Sequence, residues 1–177
     1  MGCEMELKLI KPTKILESEF KATIGEFRSH GENNIESLFS RSGDDFDVYL
    51  HKTLQAEGGF GLPEGFVPYT SYWTVLNNEK IIGFCNFRHY LTSFLKIEGG
   101  HIGYSIRPSE RNKGYGKRQL ALMLAECRMM AYSRVMITCD FDNVGSYKII
   151  EANGGILTGN AISTRSQKKV LHYWIDL

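Results

Sequence analysis

A basic, glycine-containing turn between a strand and a helix is the feature that most constrains this chain. The segment GGHIGYSIR (99–107) is predicted to be a strand, and Pro108 ends it because proline cannot donate to a strand ladder. The turn RNKGYGK follows at 111–117, and a helix is predicted from about residue 114 to 131. Its apolar residues fall on one face, at i, i+3, i+4, i+7 and i+10: Leu120, Met123, Leu124, Cys127 and Met130.

The start of this helix has the chemistry of an anion site. The first backbone N–H groups of a helix lack intrahelical partners, and the helix dipole places partial positive charge there. Glycine at 114 and 116 removes the Cβ atoms that would keep a ligand away from those groups. Arg111, Lys113 and Lys117 add full positive charges around them. The turn is therefore predicted to bind a phosphate or a diphosphate.

Two common nucleotide motifs do not fit the turn. A Walker A loop needs GxxxxGK followed by Ser or Thr, but Lys117 is followed by Arg118 and position 111 is arginine. A dinucleotide fingerprint, GxGxxG, requires a glycine where the chain has Gln119. The structural alternative is a solvated basic helix start beside a core helix.

The order of the remaining elements indicates one compact α+β domain. A helix is predicted over 13–28 after Thr13 as its N-cap, and EGGFGLPEGF (57–66) is predicted to be a loop. A β-hairpin is predicted over 69–76 and 80–91, with Asn77-Asn78 as its turn. The other predicted elements are a strand at 5–11, a helix at 44–55, a strand at 134–139, a helix at 144–153, and strands at 156–163 and 168–176.

Composition and charge exclude several classes of function. The 177 residues carry a net charge of +1, which gives no protein-wide field to attract nucleic acid. No apolar run approaches the length of a membrane span. The four cysteines (Cys3, Cys85, Cys127 and Cys139) show neither CxxC pairing nor metal-ligand spacing, and we interpret them as reduced thiols. We therefore expect a cytoplasmic protein without a metal, a membrane or a nucleic-acid partner.

The turn and a second segment carry a family resemblance. RNKGYG fits R-x-x-G-x-G directly after a strand, and DNVGSYKIIEANGG (142–155) follows as an Asn-led helix. Over roughly residues 67–177 the sequence resembles the GNAT superfamily of acyl-CoA-dependent N-acetyltransferases, and more narrowly bacterial acetyltransferases of unassigned substrate. The resemblance implies a mixed, mostly antiparallel central sheet of about seven strands, flanked by helices and splayed at the acyl-CoA site. It also implies a single domain over 1–177, in which 1–66 is the variable part.

The resemblance implies acetyl-CoA as the cofactor and assigns its contacts. In the family the diphosphate lies on the turn, and the pantetheine arm pairs with the preceding strand like an added strand. Asn143 matches a cofactor-contacting position, with Ser146 one turn on, although Asn143 can also be a helix N-cap. The implied cofactor-binding residues are Tyr104, Ser105, Ile106, Arg111, Asn112, Lys113, Gly114, Tyr115, Gly116, Lys117, Asn143 and Ser146.

The catalytic residues are less well determined by the sequence. An amine is almost fully protonated at neutral pH, so a base must remove its proton before attack. Glu98 and His101 are the candidates for this base. In a regular strand they would point to opposite faces, so only one of them could face the site. His101 is favoured because the ordinary pKa of histidine is nearer to neutral pH. The family's tyrosine acid, seven residues after Asn143, is Ile150 here. Tyr147 lies on nearly the same helix face and can substitute, or it can be a core-lining tyrosine.

The acceptor substrate stays open at this point, as a primary amine of a small molecule or a peptide. A cationic amine is one possibility, suggested by Asp44, Asp45, Asp47, Tyr69, Tyr72 and Trp73. An acidic group is the other, suggested by Arg88 and His89 on the hairpin. Because Ile150 stands where the family has its tyrosine acid, the alternative function is a non-catalytic module that binds acyl-CoA. Related enzymes are often dimers, so a homodimer is a further expectation.

Overall fold

Two antiparallel sheets form the centre of the protein in the computed structural model, which describes residues 6–33 and 37–177. The first sheet has the strand order β1-β2-β3-β4 and the second has the order β5-β7-β6. The strands are β1 (Leu7–Ile10), β2 (Tyr69–Leu76), β3 (Lys80–Arg88), β4 (Ile102–Ile106), β5 (Arg134–Asp140), β6 (Ile156–Ile162) and β7 (Lys169–Asp176). The predicted α+β class and strand number are confirmed.

Six helices flank the sheets in the described part of the chain, and short 3-10 turns precede α1, follow α3 and precede α5. The helices are α1 (Glu17–Ser29), α2 (Ser37–Arg41), α3 (Phe46–Gln55), α4 (Ser93–Ile97), α5 (Tyr115–Met129) and α6 (Val144–Glu151). None of these described helices is long and apolar enough to cross a membrane. No group of three metal-ligating side chains occurs in the described part of the chain. Cys3 and the first residue of the predicted 5–11 strand lie outside the described residues.

Local sequence signals explain several boundaries. Thr13 accepts a hydrogen bond from the Ile15 amide at 3.4 Å, as an N-cap does, although the first turn is 3-10 rather than α. Asn77 and Asn78 have φ of 52° and 64°, the left-handed pair that a two-residue hairpin turn requires. Both the predicted cap and the predicted hairpin are confirmed.

The segment before β4 differs from the prediction. A strand was expected from residue 99, but Gly99 and Gly100 have φ of 112° and 60°, and β4 begins only at Ile102. Residues 93–97 form the helix α4 instead, where Thr92 accepts a hydrogen bond from the Leu95 amide at 3.2 Å. The parity argument that separated Glu98 from His101 is therefore wrong, because no regular strand joins them.

The first sheet is packed between two hydrophobic layers. Alternate residues of β3 point to opposite faces, as in any strand. Phe84 joins an aromatic cluster with Phe20 and Trp73 below α1 and α3, where the rings of Phe20 and Trp73 stack at 5.2 Å. Cys85 and Phe87 join the other cluster, against the apolar face of α5. The sheet is thus packed on both sides by hydrophobic clusters, and β4 is one of its two edge strands.

The two sheets meet at one point, His101. Its amide donates to the Met136 carbonyl at 2.7 Å, and the Met136 amide donates back to Nδ1 of the imidazole at 2.9 Å. The Gly99 amide donates to Thr138 Oγ1 at 2.8 Å beside this pair. After His101 the strands β4 and β5 belong to separate sheets. The strands are therefore splayed, as predicted. At the point where they separate, the His101 imidazole accepts the hydrogen bond from the Met136 amide that a backbone carbonyl would accept in a regular ladder.

A partly buried ion cluster attaches α1 to the end of β4. The Arg107 guanidinium, only 13% exposed, lies 2.6 Å from carboxylate oxygens of both Glu19 and Glu26. Glu26 also accepts a hydrogen bond from the Ser109 amide at 2.6 Å. Desolvation raises the pKa of Glu26, but the hydrogen bonds from Arg107 and Ser109 outweigh it and lower the pKa to about 2. The cluster holds α1 against the segment that leads into the basic turn.

Replacing Gly100 with alanine is expected to weaken the junction between the sheets. A Cβ at Gly100 would lie 2.6 Å from the Met136 carbonyl oxygen, and its φ of 60° is strained for any L side chain. We expect Gly100→Ala to lower the free energy of unfolding by about 3 kcal/mol in urea titrations. Gly154→Ala, with a φ of 86° and no described atom within 4 Å of its Cβ, should cost only about 1 kcal/mol. Equal losses would contradict the steric explanation.

Acid should remove the contribution of Glu26 to stability. Its folded pKa is depressed, so the stabilisation is present above the unfolded value near 4.5 and is lost as pH falls towards 2. Wild type is expected to exceed Glu26→Gln in unfolding free energy by about 2 to 3 kcal/mol at pH 6 and by less than about 1 kcal/mol at pH 2.5, just above the folded pKa. Urea titrations at both values test this. Glu79→Gln, which removes an exposed carboxylate from the hairpin turn, is the control and should show no such difference.

Candidate active site

The strand β4, the basic turn and the helices α5 and α6 enclose a cleft of about 660 Å³. Its lining consists of Glu32, Tyr104, Ser105, Ile106, Glu110, Arg111, Asn112, Gly114, Gly116, Lys117, Asn143, Gly145, Ser146, Lys148 and Ile149. The cleft brings together ten of the twelve residues that the sequence assigned to cofactor binding. The other two, Lys113 and Tyr115, are in the same turn but do not line the cleft.

The start of α5 presents bare amide groups to the cleft. Gly114 is the N-cap with a left-handed φ of 80°, and the first intrahelical bond runs from the Arg118 amide to its carbonyl at 3.4 Å. The amides of Tyr115, Gly116 and Lys117 precede that bond, so they lack helical acceptors. No described atom lies within 4 Å of the position that a Cβ on Gly114 would occupy. An anion can therefore approach these amides directly.

Gly116 has a second reason to be glycine. A Cβ at this position would lie 2.5 Å from Cδ1 of Ile149, so the helices α5 and α6 approach each other closely here. Tyr115, by contrast, is buried with Leu7 and Ile82 in a small apolar cluster on the other side of α5. Packing thus explains two residues of the turn that the sequence alone associated with ligand binding.

Two carboxylates balance the positive charges of the turn. Arg111 donates through Nε to the Ile106 carbonyl at 3.0 Å, and its Nη2 lies 2.8 Å from the Glu32 carboxylate. Glu110, 5% exposed, lies 2.6 Å from Lys80 and 3.1 Å from Lys113. Desolvation raises the pKa of Glu110, but the hydrogen bonds from both lysines outweigh it and hold the pKa below its usual value. Lys113 therefore points to Glu110 instead of the cleft.

The backbone of β4 is open along one edge. The Arg88 amide donates to the His101 carbonyl at 2.7 Å, and the Arg107 amide donates to the Ile82 carbonyl at 2.8 Å. Alternate residues of an antiparallel strand bond to the same neighbour, so the odd-numbered residues of this segment face β3. The backbone groups that face the open edge are those of Ile102, Tyr104 and Ile106.

The opposite wall of the cleft comes from the start of α6. The side chain of Asn143 caps this helix, where Oδ1 accepts from the Ser146 amide at 3.0 Å, so the predicted N-cap is confirmed. Ser146 Oγ lies 2.9 Å from the Tyr104 hydroxyl, a contact that joins the two walls. Burial raises the pKa of Tyr104 and, to about 11, that of Cys139 nearby. Both groups are therefore neutral at pH 7.

His101 is in the sheet junction and does not line the cleft. The ring is 7% exposed and lies between the rings of Phe87, Tyr132 and Trp174. Desolvation lowers its pKa to about 4, so the imidazole is neutral at pH 7, and its Nδ1 already accepts from the Met136 amide. These contacts give His101 a structural role in the sheet, and its assignment as the base stays a prediction.

The other two predicted catalytic residues also lie outside the cleft lining. Glu98 follows α4, where its Oε1 accepts from Thr164 at 3.3 Å and lies 3.7 Å from Arg165. Tyr147 is half-buried and packs against the core cluster around α5, in which Ile150 is fully buried. The roles of Glu98 and Tyr147 stay predictions.

Some cleft residues were missed by sequence reasoning. These residues include three of α6: Gly145, Lys148 and Ile149. Ile149 could have been predicted, because it lies three residues after Ser146 and so on the same face of the helix. Glu32 had no such signal, because it lies 79 residues before Arg111 in the chain. A contact at that separation depends on how α1 packs across the sheet.

Three solved structures share this fold over nearly the whole chain. The acetyltransferase that modifies the N-terminal serine of ribosomal protein L7/L12 from Salmonella typhimurium has a TM-score of 0.69 at 15% identity, covering 97% of this chain and 95% of that one. The microcin C7 self-immunity acetyltransferase MccE, in complex with acetyl-CoA and AMP, has a TM-score of 0.71 at 16% identity, covering 97% and 93%. RimJ from Mycobacterium smegmatis, in complex with CoA-disulfide, has a TM-score of 0.72 at 14% identity, covering 96% and 81%.

Sequence comparison identifies the family. No curated protein matches this chain significantly. The sequence model described as the acetyltransferase (GNAT) domain matches residues 41–156, which is well over half of the chain. The family and enzyme class predicted from the turn RNKGYG and the Asn-led helix are thereby confirmed. This chain belongs to the GNAT family of acetyltransferases.

Proposed function

We propose that this enzyme transfers the acetyl group of acetyl-CoA to the primary amine of a small molecule or a peptide by direct attack. The observation that carries the proposal is that one cleft combines a bare helix start with an open strand edge. The first suits the diphosphate of a nucleotide, and the second suits an extended amide-containing arm. The alternative of a non-catalytic module is set aside, because the chain belongs to an acetyltransferase family.

The residues of the cleft fit coenzyme A. The amides of Tyr115, Gly116 and Lys117 would hold the diphosphate, and Lys117 would add a positive charge beside it. The open backbone of Tyr104 and Ile106 would pair with the pantetheine arm. The carboxylates of Glu32 and Glu110 do not disqualify the site, since ion pairs with Arg111, Lys80 and Lys113 neutralise them.

Acetyl-CoA supplies a thioester whose carbonyl carbon accepts the amine. A backbone N–H on the open edge of β4 is suited to stabilise the negative charge that develops on the carbonyl oxygen. Of the two predicted bases, we favour Glu98, whose Oε2 has no hydrogen-bond partner in the described part of the chain. His101 is the weaker candidate because its pKa is about 4 and its Nδ1 is already bonded. The leaving thiol needs no strong acid, so Tyr147 is dispensable in this scheme.

The acceptor class is supported by the variety of proteins with this fold. One of the similar structures modifies the N-terminal serine of a ribosomal protein, and another is a complex with AMP. The first is consistent with a peptide amine as acceptor, and the second is consistent with room for a small molecule in this fold. We place the enzyme in the cytoplasm, because Cys85, Cys127 and Cys139 are free, buried thiols. A homodimer stays a prediction.

Reversing the charge of Lys117 is expected to weaken the binding of acetyl-CoA through its diphosphate. We expect Lys117→Glu to raise the Kd about tenfold to a hundredfold in isothermal titration calorimetry, because an attraction becomes a repulsion. Lys52→Glu, on the exposed face of α3, is the matched control and should leave the Kd unchanged. S-acetylpantetheine lacks the diphosphate, so its affinity should be equal in all three proteins. Equal weakening of both ligands would contradict the assignment.

The two candidate bases give different kinetic results. Glu98→Gln should lower kcat by about a hundredfold in a thiol-release assay over a panel of amines, with no change in the Kd for acetyl-CoA. His101→Gln should lower the free energy of unfolding and reduce activity only in proportion to the unfolded fraction. A folded His101→Gln protein without activity, beside an active Glu98→Gln protein, would assign the base to His101. Absence of thiol release from wild type on every amine would overturn the proposed function.

A further inference from the structure

The guanidinium of Arg88 is a half-buried cation without a carboxylate partner in the described part of the chain. None of the ion pairs among the described residues includes it. Desolvation lowers the pKa of Arg88, and the groups that raise it are Cys85 and Tyr69 rather than a carboxylate. Burying a charge is costly unless a partner compensates for it, so this position calls for an anion.

Only part of the hydrogen-bonding capacity of Arg88 is used. Its Nη1 donates to the carbonyl oxygens of Gly99 at 2.9 Å and Gly100 at 3.2 Å. A guanidinium has five N–H donors, and those on Nε and Nη2 have no acceptor among the residues that the structure describes. The two carbonyl bonds fix the orientation of the guanidinium and leave one side of its planar fork free.

A second donor lies on the same face of the sheet. Asn86 is paired across the strands with Gly103 and precedes Arg88 by two residues, so the side chains of Asn86 and Arg88 share a face. Ser71 Oγ donates to Asn86 Oδ1 at 2.7 Å, which leaves the amide nitrogen, Nδ2, as the free donor. No described residue accepts from Nδ2.

Gly103 lies against the guanidinium of Arg88. A Cβ at this position would make ordinary contacts, 3.6 Å from Nη2 and 3.7 Å from Nη1, so the guanidinium covers a residue without a side chain. The donors of Arg88 and Asn86 therefore lie on one face of the sheet, beside Gly103. This face is opposite to that of Tyr104, which lines the cleft proposed for acetyl-CoA.

We infer that the free donors of Arg88 and Asn86, beside Gly103, bind a carboxylate of the acceptor. This inference rests on the proposed function, and it makes the acceptor an amine that also carries a carboxylate, such as an amino acid. The amine would approach the open edge of β4 from one face while the thioester approaches from the other. Successive residues of a strand are about 3.3 Å apart, so the two groups of an amino acid can span from Gly103 to the neighbouring edge position.

The local charge favours a carboxylate over a phosphate. Arg165 is the other cation that acts on Arg88, but it lies 3.7 Å from Glu98 and stacks on Phe94 at 4.5 Å. The Arg165–Glu98 pair is neutral overall, so Arg88 alone supplies one unbalanced positive charge. A planar guanidinium with a single charge matches a carboxylate in both geometry and charge.

The test compares each acceptor with its carboxamide, which keeps the amine and removes the negative charge. For wild type, kcat/KM should be at least tenfold higher for α-, β- or γ-amino acids than for the corresponding amides. Arg88→Gln should raise KM for the acid about tenfold to a hundredfold and leave the amide nearly unchanged. Arg88→Lys keeps the positive charge but not the planar guanidinium, so its KM for the acid should lie between those of wild type and Arg88→Gln. Arg134→Gln removes an exposed arginine at the start of β5 and should preserve the wild-type preference.

A second variant separates recognition from folding, because Arg88 also supports the loop at 99–100. Asn86→Ala removes the second free donor and leaves the bonds from Arg88 to Gly99 and Gly100 in place, so the protein should fold. The KM for the acid should rise about threefold to tenfold, while the KM for the amide and the Kd for acetyl-CoA do not change. An unchanged KM for the acid in a folded Asn86→Ala protein would overturn the inference.

Binding measurements keep this inference distinct from the proposed function. Calorimetric titration of the CoA-bound protein with each acid and amide detects the carboxylate site without turnover. Acids that bind in an Arg88-dependent way but are never acetylated would support the carboxylate site and overturn acetyl transfer. If the enzyme acetylates amines but treats acids and amides with equal rates and equal affinities, acetyl transfer would be supported and the carboxylate site would be overturned.

Discussion

The pair of hydrogen bonds between His101 and Met136 is the constraint on which the site depends. It joins the two sheets at one residue, and beyond it β4 and β5 no longer pair. The divergence leaves the edge of β4 at Tyr104 and Ile106 without a neighbouring strand, next to the start of α5, although the Ile106 carbonyl accepts from Arg111. A single junction thus creates both the open strand edge and the cleft, and the burial that keeps the imidazole neutral also preserves its acceptor nitrogen.

The same strand has separate tasks on its two faces. On the α5 side, Tyr104 contacts Ser146 and closes the wall of the cofactor cleft. On the other face, Arg88 and Asn86 present donors that have no acceptor among the described residues. Two substrates that approach from opposite faces would meet at the open edge without competing for space. The acidic residues around the turn, such as Glu110, lie in ion pairs, so the cleft keeps the bare amides of α5 as its main attraction for an anion.

Local signals in the sequence were sufficient for most of the fold and for the geometry of the basic turn. The strand, the basic turn and the amphipathic helix are contiguous, so their geometry follows from glycine positions, capping and periodicity. Contacts between residues far apart in the chain required information of another kind. The role of His101 depends on Met136, 35 residues later, and Glu32 reaches Arg111 across 79 residues. The prediction that Glu98 and His101 point to opposite faces of one strand was also wrong, because two consecutive glycines with positive φ precede β4 and interrupt the strand.

The central claim is that acetyl-CoA lies between the start of α5 and the open edge of β4. Amide chemical shifts recorded by NMR as acetyl-CoA is added test it most directly, because each backbone N–H reports on its own surroundings. The account predicts the largest shift changes at the amides of Tyr115, Gly116 and Lys117, followed by Tyr104 and Ile106. Small changes at these amides, with the largest changes in another part of the molecule, would contradict it.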